Sequence, residues 1–209
     1  MYAVYFDVDG TLCDTRADLA ATVNHTRRDL GLKPLSIPAV LSYVGNGAKY
    51  LLSHAISEAP IEAFDELWAK FKIHYAEHAT ESVTLYPGVR ETLEELTKRG
   101  VHLGVNTNKP RFAVEAIFDK LDIRSYFGDA IVAGGDMSEL KPSSAPLFAC
   151  AEKLGVKVTA EDWMVGDSWN DLECAVNAKV KSAFCAFGFG NPKDIPYTLR
   201  LEKMTDFIS

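Results

Sequence analysis

The chain has 209 residues, 47% of them hydrophobic and 24% charged, the balance of a globular protein with a sizeable core. Its net charge of -7, without a Lys/Arg cluster, argues against nucleic acid as a partner, because binding a phosphate backbone needs a basic face. No run approaches the roughly 20 apolar residues of a membrane span, and the N-terminus has neither a basic start nor a cleavage site, so a cytoplasmic protein is expected.

Tyr2 to Phe6 is a short aromatic and β-branched run ending at Asp7, the pattern of a buried strand that delivers a polar residue at its C-terminal end. Gly10 then turns the chain. From Asp18 to about Ala79 the spacing is helical, with breaks at Gly31, at Pro34 to Pro38, at Gly45-Asn46-Gly47 and at Pro60. No strand-like run interrupts this block.

After Tyr86-Pro87-Gly88 the pattern alternates. An amphipathic helix from Val89 to Arg99, with Gly100 as C-cap, leads into a strand from Val101 to Val105. A helix around Phe112 to Leu121, a strand at Ala130 to Ala133 and a helix around Pro146 to Leu154 closed by Gly155 follow. The strand Trp163 to Val165, the helix Leu172 to Ala178 and the strand Ser182 to Ala186 complete the series. Such alternation predicts βαβ units: an α/β fold with a Rossmann-like parallel sheet, binding ligands at the carboxyl ends of its strands. The expected division is a core of residues 1–15 and 83–209 with an inserted all-helical cap, 16–82.

Four polar clusters fall at or just after these strand ends: Asp7-Val8-Asp9-Gly10-Thr11, Asn106-Thr107-Asn108-Lys109, Lys141-Pro142 and Gly166-Asp167-Ser168-Trp169-Asn170-Asp171. One alone would be a turn with a helix N-cap. Four on one sheet edge converge. Asp7 and Asp9, two apart on an extended segment, can face one pocket as nucleophile and acid. Asp167 and Asp171 lie four apart at a loop-to-helix junction, on one helical face. So many carboxylates would repel a phosphate dianion unless a cation intervened, and an all-oxygen ligand set suits Mg²⁺. Lys141 adds positive charge. Thr107 and the amides after it can bind phosphate oxygens.

In order, Asp7-Val8-Asp9-Gly10-Thr11-Leu12, Thr107-Asn108-Lys109, Lys141-Pro142 and Gly166-Asp167-Ser168-x-Asn170-Asp171 resemble the four motifs of the haloacid dehalogenase superfamily. The resemblance spans nearly the whole chain. It is strongest to the phosphoglycolate phosphatase branch, through Tyr86-Pro87-Gly88-Val89, Val44-Gly45-Asn46-Gly47-Ala48 and Gly188-Phe189-Gly190.

The resemblance implies Asp7 as nucleophile and Asp9 as the acid that protonates the leaving alkoxide and then activates water. It implies Mg²⁺ held by the Asp7 carboxylate, the Asp9 carbonyl and Asp167, with Thr107 and Asn108 on the phosphoryl oxygens. Lys141 would neutralise charge, and Asp171 would orient Lys141 or a metal-bound water. A small phosphomonoester is the expected substrate of a monomer or homodimer. For its organic part the informative segment is Gly45, Asn46 and Gly47, ahead of a helix from Ala48 to Ile56, with Lys49 as an added charge.

Two positions depart from the family pattern. Ser144 stands where a second proline is usual, which predicts a change in loop stiffness, and Lys179 stands where a glycine usually follows alanine, so that helix end needs another C-cap. Rival functions are a sugar-phosphate mutase, whose relatives tend to carry valine at the position of Thr11, and a non-enzymatic phospho-acceptor module, which lacks an insert after its first strand. A dehalogenase or phosphonate hydrolase would lack the acid at Asp9. His74 and His78 have metal-ligand spacing but no third ligand near them in sequence, so a polar helix face is expected. Trp68, Phe71 and Tyr75 read as a packed stripe. Cys13, Cys150, Cys174 and Cys185 form no C-x-x-C and read as reduced thiols, mostly core.

Overall fold

The computed structural model describes residues 2–58 and 64–209, so the break expected at Pro60 lies outside the described residues. Strand β1, Ala3–Phe6, is completely buried. Its alternate side chains serve two cores: Val4 and Phe6 face one cluster, Ala3 and Tyr5 the other. On either side of it in the parallel sheet lie β4 (His102–Pro110) and β6 (Trp163–Gly166). Outward from β4 comes β5 (Ile131–Gly134), and outward from β6 come β7 (Lys181–Cys185) and β8 (Leu199–Leu201), giving the order β5-β4-β1-β6-β7-β8. The α/β Rossmann-like fold expected from the alternation is thus present.

Helices α5 (Val89–Lys98) and α6 (Arg111–Leu121) contribute Leu93, Val114 and Phe118 to one face of the sheet. Helices α7 (Ala145–Leu154) and α8 (Trp169–Ala178) contribute Leu147 and Ala175 to the other. Helix α8 ends with Lys179 itself in the left-handed region, φ 58°, so the position lacking glycine is its own C-cap. Ser144 sits just ahead of α7, without a side-chain capping bond.

Ahead of residue 84, the described residues form four α-helices: α1 (Arg16–Asp29), α2 (Ile37–Leu41), α3 (Ala48–Ala55) and α4 (Phe64–His78). They enclose a separate hydrophobic cluster with Leu19, Val23, Leu52, Phe71 and Tyr75, which also takes in Ala113 from α6. A fully buried side chain of this size contributes about 1.5–3 kcal/mol. The segments entering and leaving the helical insert pair: β2 (Cys13–Asp14) runs antiparallel to β3 (Thr84–Leu85). Asp18 Oδ1 also accepts from the Ser82 amide at 2.9 Å. Helices α1 and α4 pack together and bring His25 against His74 and His78, so the histidine pair does have a third neighbour.

All four cysteines are buried and free. Among the described residues no helix is long and apolar enough to cross a membrane.

Candidate active site

The register of the sheet assembles the site. Phe6 is level with Val105 on one side and Val165 on the other, so Asp7 emerges beside Asn106 and Gly166, one step before Thr107 and Asp167. Asp7, Asp9, Thr107, Asn108 and Asp167 line one cavity together with Gly45 and Gly47 of the insert. Asn106 does not join them. It turns into the core, with its amide against Met164 and Cys174.

Three carboxylates, Asp7, Asp167 and Asp171, have oxygens within 4.8 Å of one another. Lys141 Nζ is 2.9 Å from Asp7 Oδ1 and 2.6 Å from Asp171 Oδ1. The first contact is an ion pair without hydrogen-bond alignment, since Asp7 Oδ1 has no properly directed donor among the described residues. The second is a hydrogen bond donated by Lys141. Burial would push the Lys141 ammonium down, but Asp171 and Asp7 raise it, so the lysine stays charged. Asp171 Oδ2 in turn accepts from the Ser168 amide and hydroxyl at 2.9 and 2.7 Å, which fixes it at the start of α8.

Asp167 is pushed well above the usual carboxylate range by burial and by the neighbouring Asp171 and Asp7. Its Oδ2 accepts the amides of Phe189 and Gly190 at 3.0 and 2.7 Å. That approach explains two glycines. A Cβ on Gly10, whose φ is 77°, would lie 1.8 Å from Asp167 Oδ2, and one on Gly188 would lie 2.4 Å from Asp167 Cβ.

Asp9 belongs to a second network. Its Oδ1 accepts from the Thr15 hydroxyl at 2.7 Å and from Lys109 Nζ at 2.8 Å, and the same ammonium donates to the Tyr75 hydroxyl at 2.6 Å. Burial would lower the Lys109 pKa, but Asp9 and Tyr75 raise it. The Tyr75 hydroxyl is pushed up to about 12 by burial, so it stays protonated. Tyr75 is therefore both a packed residue and a hydrogen-bond partner of the core.

The Asn108 side chain is also engaged within the protein. Its Nδ2 donates to the carbonyls of Gly45 and Lys141 at 2.8 and 2.9 Å, and its Oδ1 accepts from the Lys141 amide at 2.8 Å. The side chain braces the lysine loop against the insert. Asn170 does similar work, donating to the Gly45 carbonyl at 3.2 Å and to Asn46 Oδ1 at 3.3 Å. Lys49 is exposed and lines an adjoining groove with Asn46, Trp68 and Leu140, outside the cavity that holds Asp7. At the start of α3 it is Gly47 and Ala48 that face the cavity.

Four carboxylates, those of Asp7, Asp9, Asp167 and Asp171, thus face two ammonium groups, those of Lys141 and Lys109. The excess of negative charge, on oxygens alone, fits a hard divalent cation. Asp7 and Asp9, at the carboxyl end of a central strand of a Rossmann-like sheet, line the same cavity as Thr107 and Asp167. The model of the haloacid dehalogenase-like hydrolases matches residues 4–185, and the chain belongs to that family. Within it the chain stands with the phosphatases. A phosphoglycolate phosphatase of Agrobacterium fabrum is 36% identical over 195 residues, covering 91% of this chain and 82% of its own. One from Chromobacterium violaceum is 35% identical over 210 residues, covering 98% and 93%. The crystal structure of a predicted phosphoglycolate phosphatase from Haemophilus somnus superposes with a TM-score of 0.91 at 29% identity, covering 100% of this chain and 96% of that one.

Proposed function

We propose that this phosphatase is magnesium-dependent and hydrolyses a small carboxylated phosphomonoester, phosphoglycolate first, through an aspartyl-phosphate on Asp7. The observation that carries the substrate reading is the lining of the cavity that holds Asp7, Asp9 and Asp167. Its far wall is Leu19, Leu41, Val44 and Leu51, with the N-terminus of α3 at Gly47 and Ala48. Helix amides there favour a carboxylate. The activity for which the relatives are named supports the same choice.

Asp7, Asp167 and the Asp9 carbonyl would hold the Mg²⁺, which when bound neutralises the carboxylates and polarises the phosphate. An Asp7 carboxylate oxygen attacks phosphorus, and the bond from phosphorus to the leaving oxygen breaks as Asp9 gives that oxygen a proton. Asp9 then takes a proton from water as the water attacks the phosphorus of the aspartyl-phosphate, releasing phosphate and restoring Asp7. Lys141, held by Asp171, counters the charge that builds on the transferred group, and the Thr107 hydroxyl and the following amides orient its oxygens. The helical insert, residues 16–82, acts as a lid hinged at β2 and β3.

The test is a comparison of kcat/KM across phosphoglycolate, hexose phosphates, nucleoside monophosphates, pyrophosphate and phosphoserine, with rapid-quench trapping of phosphate on the enzyme. Phosphoglycolate is expected to lead, and the trapped phosphate to map to Asp7. A tenfold lead for a hexose phosphate or a nucleotide, about 1.4 kcal/mol of transition-state preference, overturns the substrate. Wild-type turnover in Asp7→Asn overturns the mechanism.

A further inference from the structure

On the outer side of the insert, remote in sequence from every motif of the phosphatase, His25 of α1 meets His74 and His78 of α4. One ligand nitrogen from each lies within 4.8 Å of the others. The His25 ring centroid is 4.0 Å from that of His78 and 5.6 Å from that of His74. Two of the rings are already held from behind. His74 Nε2 pairs with Asp29 Oδ2 at 2.6 Å, and His78 Nδ1 pairs with Glu81 Oε1 at 2.8 Å. A carboxylate on one ring nitrogen fixes the tautomer and leaves the lone pair on the other, the arrangement that supports metal-ligating histidines.

The two remaining nitrogens share one neighbour. Glu77 Oε2 lies 3.9 Å from His74 Nδ1 and 4.0 Å from His78 Nε2, too far for a hydrogen bond to either. His74 Nδ1 is buried and has no hydrogen-bond partner among the described residues. A buried nitrogen left in that state is destabilising. Were the cluster only a solvated polar face, its free nitrogens would point to water. Instead one of them is buried and aimed at the space between three imidazoles and a carboxylate.

We propose that His25, His74 and His78, with Glu77 as fourth ligand, form a site for a zinc-like transition-metal ion on the helical insert. Three imidazoles and one carboxylate are a donor set for zinc, and not for magnesium, which prefers oxygen and water. In a tetrahedron with Zn–N of 2.0–2.1 Å the nitrogens stand roughly 3.3 Å apart, so the side chains draw together slightly on binding. The ion ties α1, which follows β2, to the C-terminal end of α4, from which the chain runs on to β3, and so braces these two helices of the insert against each other.

The experiment titrates Zn²⁺ into the full-length protein already saturated with Mg²⁺, followed by calorimetry, and repeats the titration with Co²⁺, followed by visible absorption. One ion per chain is expected, with the absorption of tetrahedral cobalt and a rise in melting temperature. His25→Gln and His74→Gln should each weaken zinc at least about tenfold while leaving magnesium-dependent turnover in the absence of zinc as in wild type. Asp167→Asn should bind zinc as wild type does. Absence of zinc binding under magnesium saturation overturns the proposal. So does wild-type zinc affinity in either histidine variant shown by circular dichroism to be folded, or loss of zinc in Asp167→Asn. If both histidine variants misfold, the partly exposed His78→Gln takes their place under the same two outcomes.

Discussion

Lys109→Met is the substitution whose effects follow most directly from the geometry. Its ammonium is fully enclosed, with 1% of the side chain exposed, 2.8 Å from Asp9 Oδ1. At an effective dielectric constant of about 20 that attraction is worth about 6 kcal/mol before desolvation. Desolvating the ammonium removes several kcal/mol of this, so the intact pair contributes little net. Removing the lysine alone is different. Asp9 then keeps only the Thr15 hydroxyl, and the Tyr75 hydroxyl loses its acceptor-seeking neighbour within an apolar cluster. Breaking one side of a buried pair costs about 3–5 kcal/mol, and because Asp9 can still reach some water the lower end applies. About 3 kcal/mol corresponds to a fall in Tm of roughly 6–12 °C for a chain of this size.

Thermal and urea unfolding without Mg²⁺ check that magnitude, and kinetics check the consequence for Asp9. With its carboxylate no longer held by Lys109, proton delivery to an alkoxide should suffer, so kcat/KM for phosphoglycolate should fall about 10- to 100-fold. An aryl phosphate such as p-nitrophenyl phosphate, whose leaving group needs no proton, should lose much less. Tyr75→Phe keeps the ring packed and removes only the hydroxyl, and its effect should couple to that of Lys109→Met by more than about 0.5 kcal/mol. A Tm within 2 °C of wild type, or additive effects of the two substitutions, would falsify the assignment of Lys109 as the residue that positions Asp9.

Asp167→Asn should abolish turnover yet melt higher than wild type in metal-free buffer, and should lose the stabilisation that Mg²⁺ gives. The sign follows from its raised pKa: a carboxyl that holds its proton more tightly when folded costs stability as pH rises from the ordinary value of about 3.9 towards the folded one, and the amide has no such charge to bury. Calorimetry of both proteins across that pH range decides it, and an unchanged magnesium response in the variant counts against Asp167 as a ligand. Gly188→Ala should cost about 1–3 kcal/mol by overpacking, and should weaken magnesium activation, because the new methyl would meet Asp167 Cβ at 2.4 Å. Lys49→Ala should change kcat/KM for phosphoglycolate by less than about threefold, a difference of roughly 0.6 kcal/mol, since its side chain lies in the adjoining groove; a larger loss in steady-state assays would place the substrate carboxylate there instead.

The chemical half of the site was legible because a buried parallel strand is short and apolar and stops where it must deliver a polar residue. Asp7 and Asp167 each follow such a run, whereas Thr107 lies inside β4, which continues to Pro110, and the sheet's register did the rest. What stayed hidden depends on pairing across long separations. The ladder of β2 with β3 is two residues long on each side, too short to carry a period. His25 lies on a different helix from His74, so no local spacing could join them. Lys109 was read only as part of a polar cluster, because nothing in Thr107-Asn108-Lys109 shows that the lysine turns back to Asp9. One signal was available: Tyr75 occupies a fully apolar stripe with Phe71, where a buried tyrosine hydroxyl requires a partner.

These contacts divide the charged groups into two sets with different freedom. Among the described residues the side chains of Asp7, Lys141, Asp171 and Ser168 bond to one another and to the core, and only the Lys141 backbone reaches the insert, through Asn108 and the Gly45 carbonyl. Asp9 is tied to Thr15 at the hinge and, through Lys109, to Tyr75 of α4. Asn108 and Asn170 both hold the Gly45 carbonyl of the insert. Moving the insert away must therefore break bonds made by residues next to the reacting phosphorus, and Lys109 would keep Asp9 while losing Tyr75. On the proposed mechanism, the residue that acts twice, as acid and then as base, is the one whose side chain is bonded directly toward the insert, whereas the proposed nucleophile is linked to the insert only through the Lys141 loop. If the insert moves as proposed, its position and the orientation of Asp9 form one equilibrium, and a substrate that holds the insert open would be slowed at proton transfer as well as at binding.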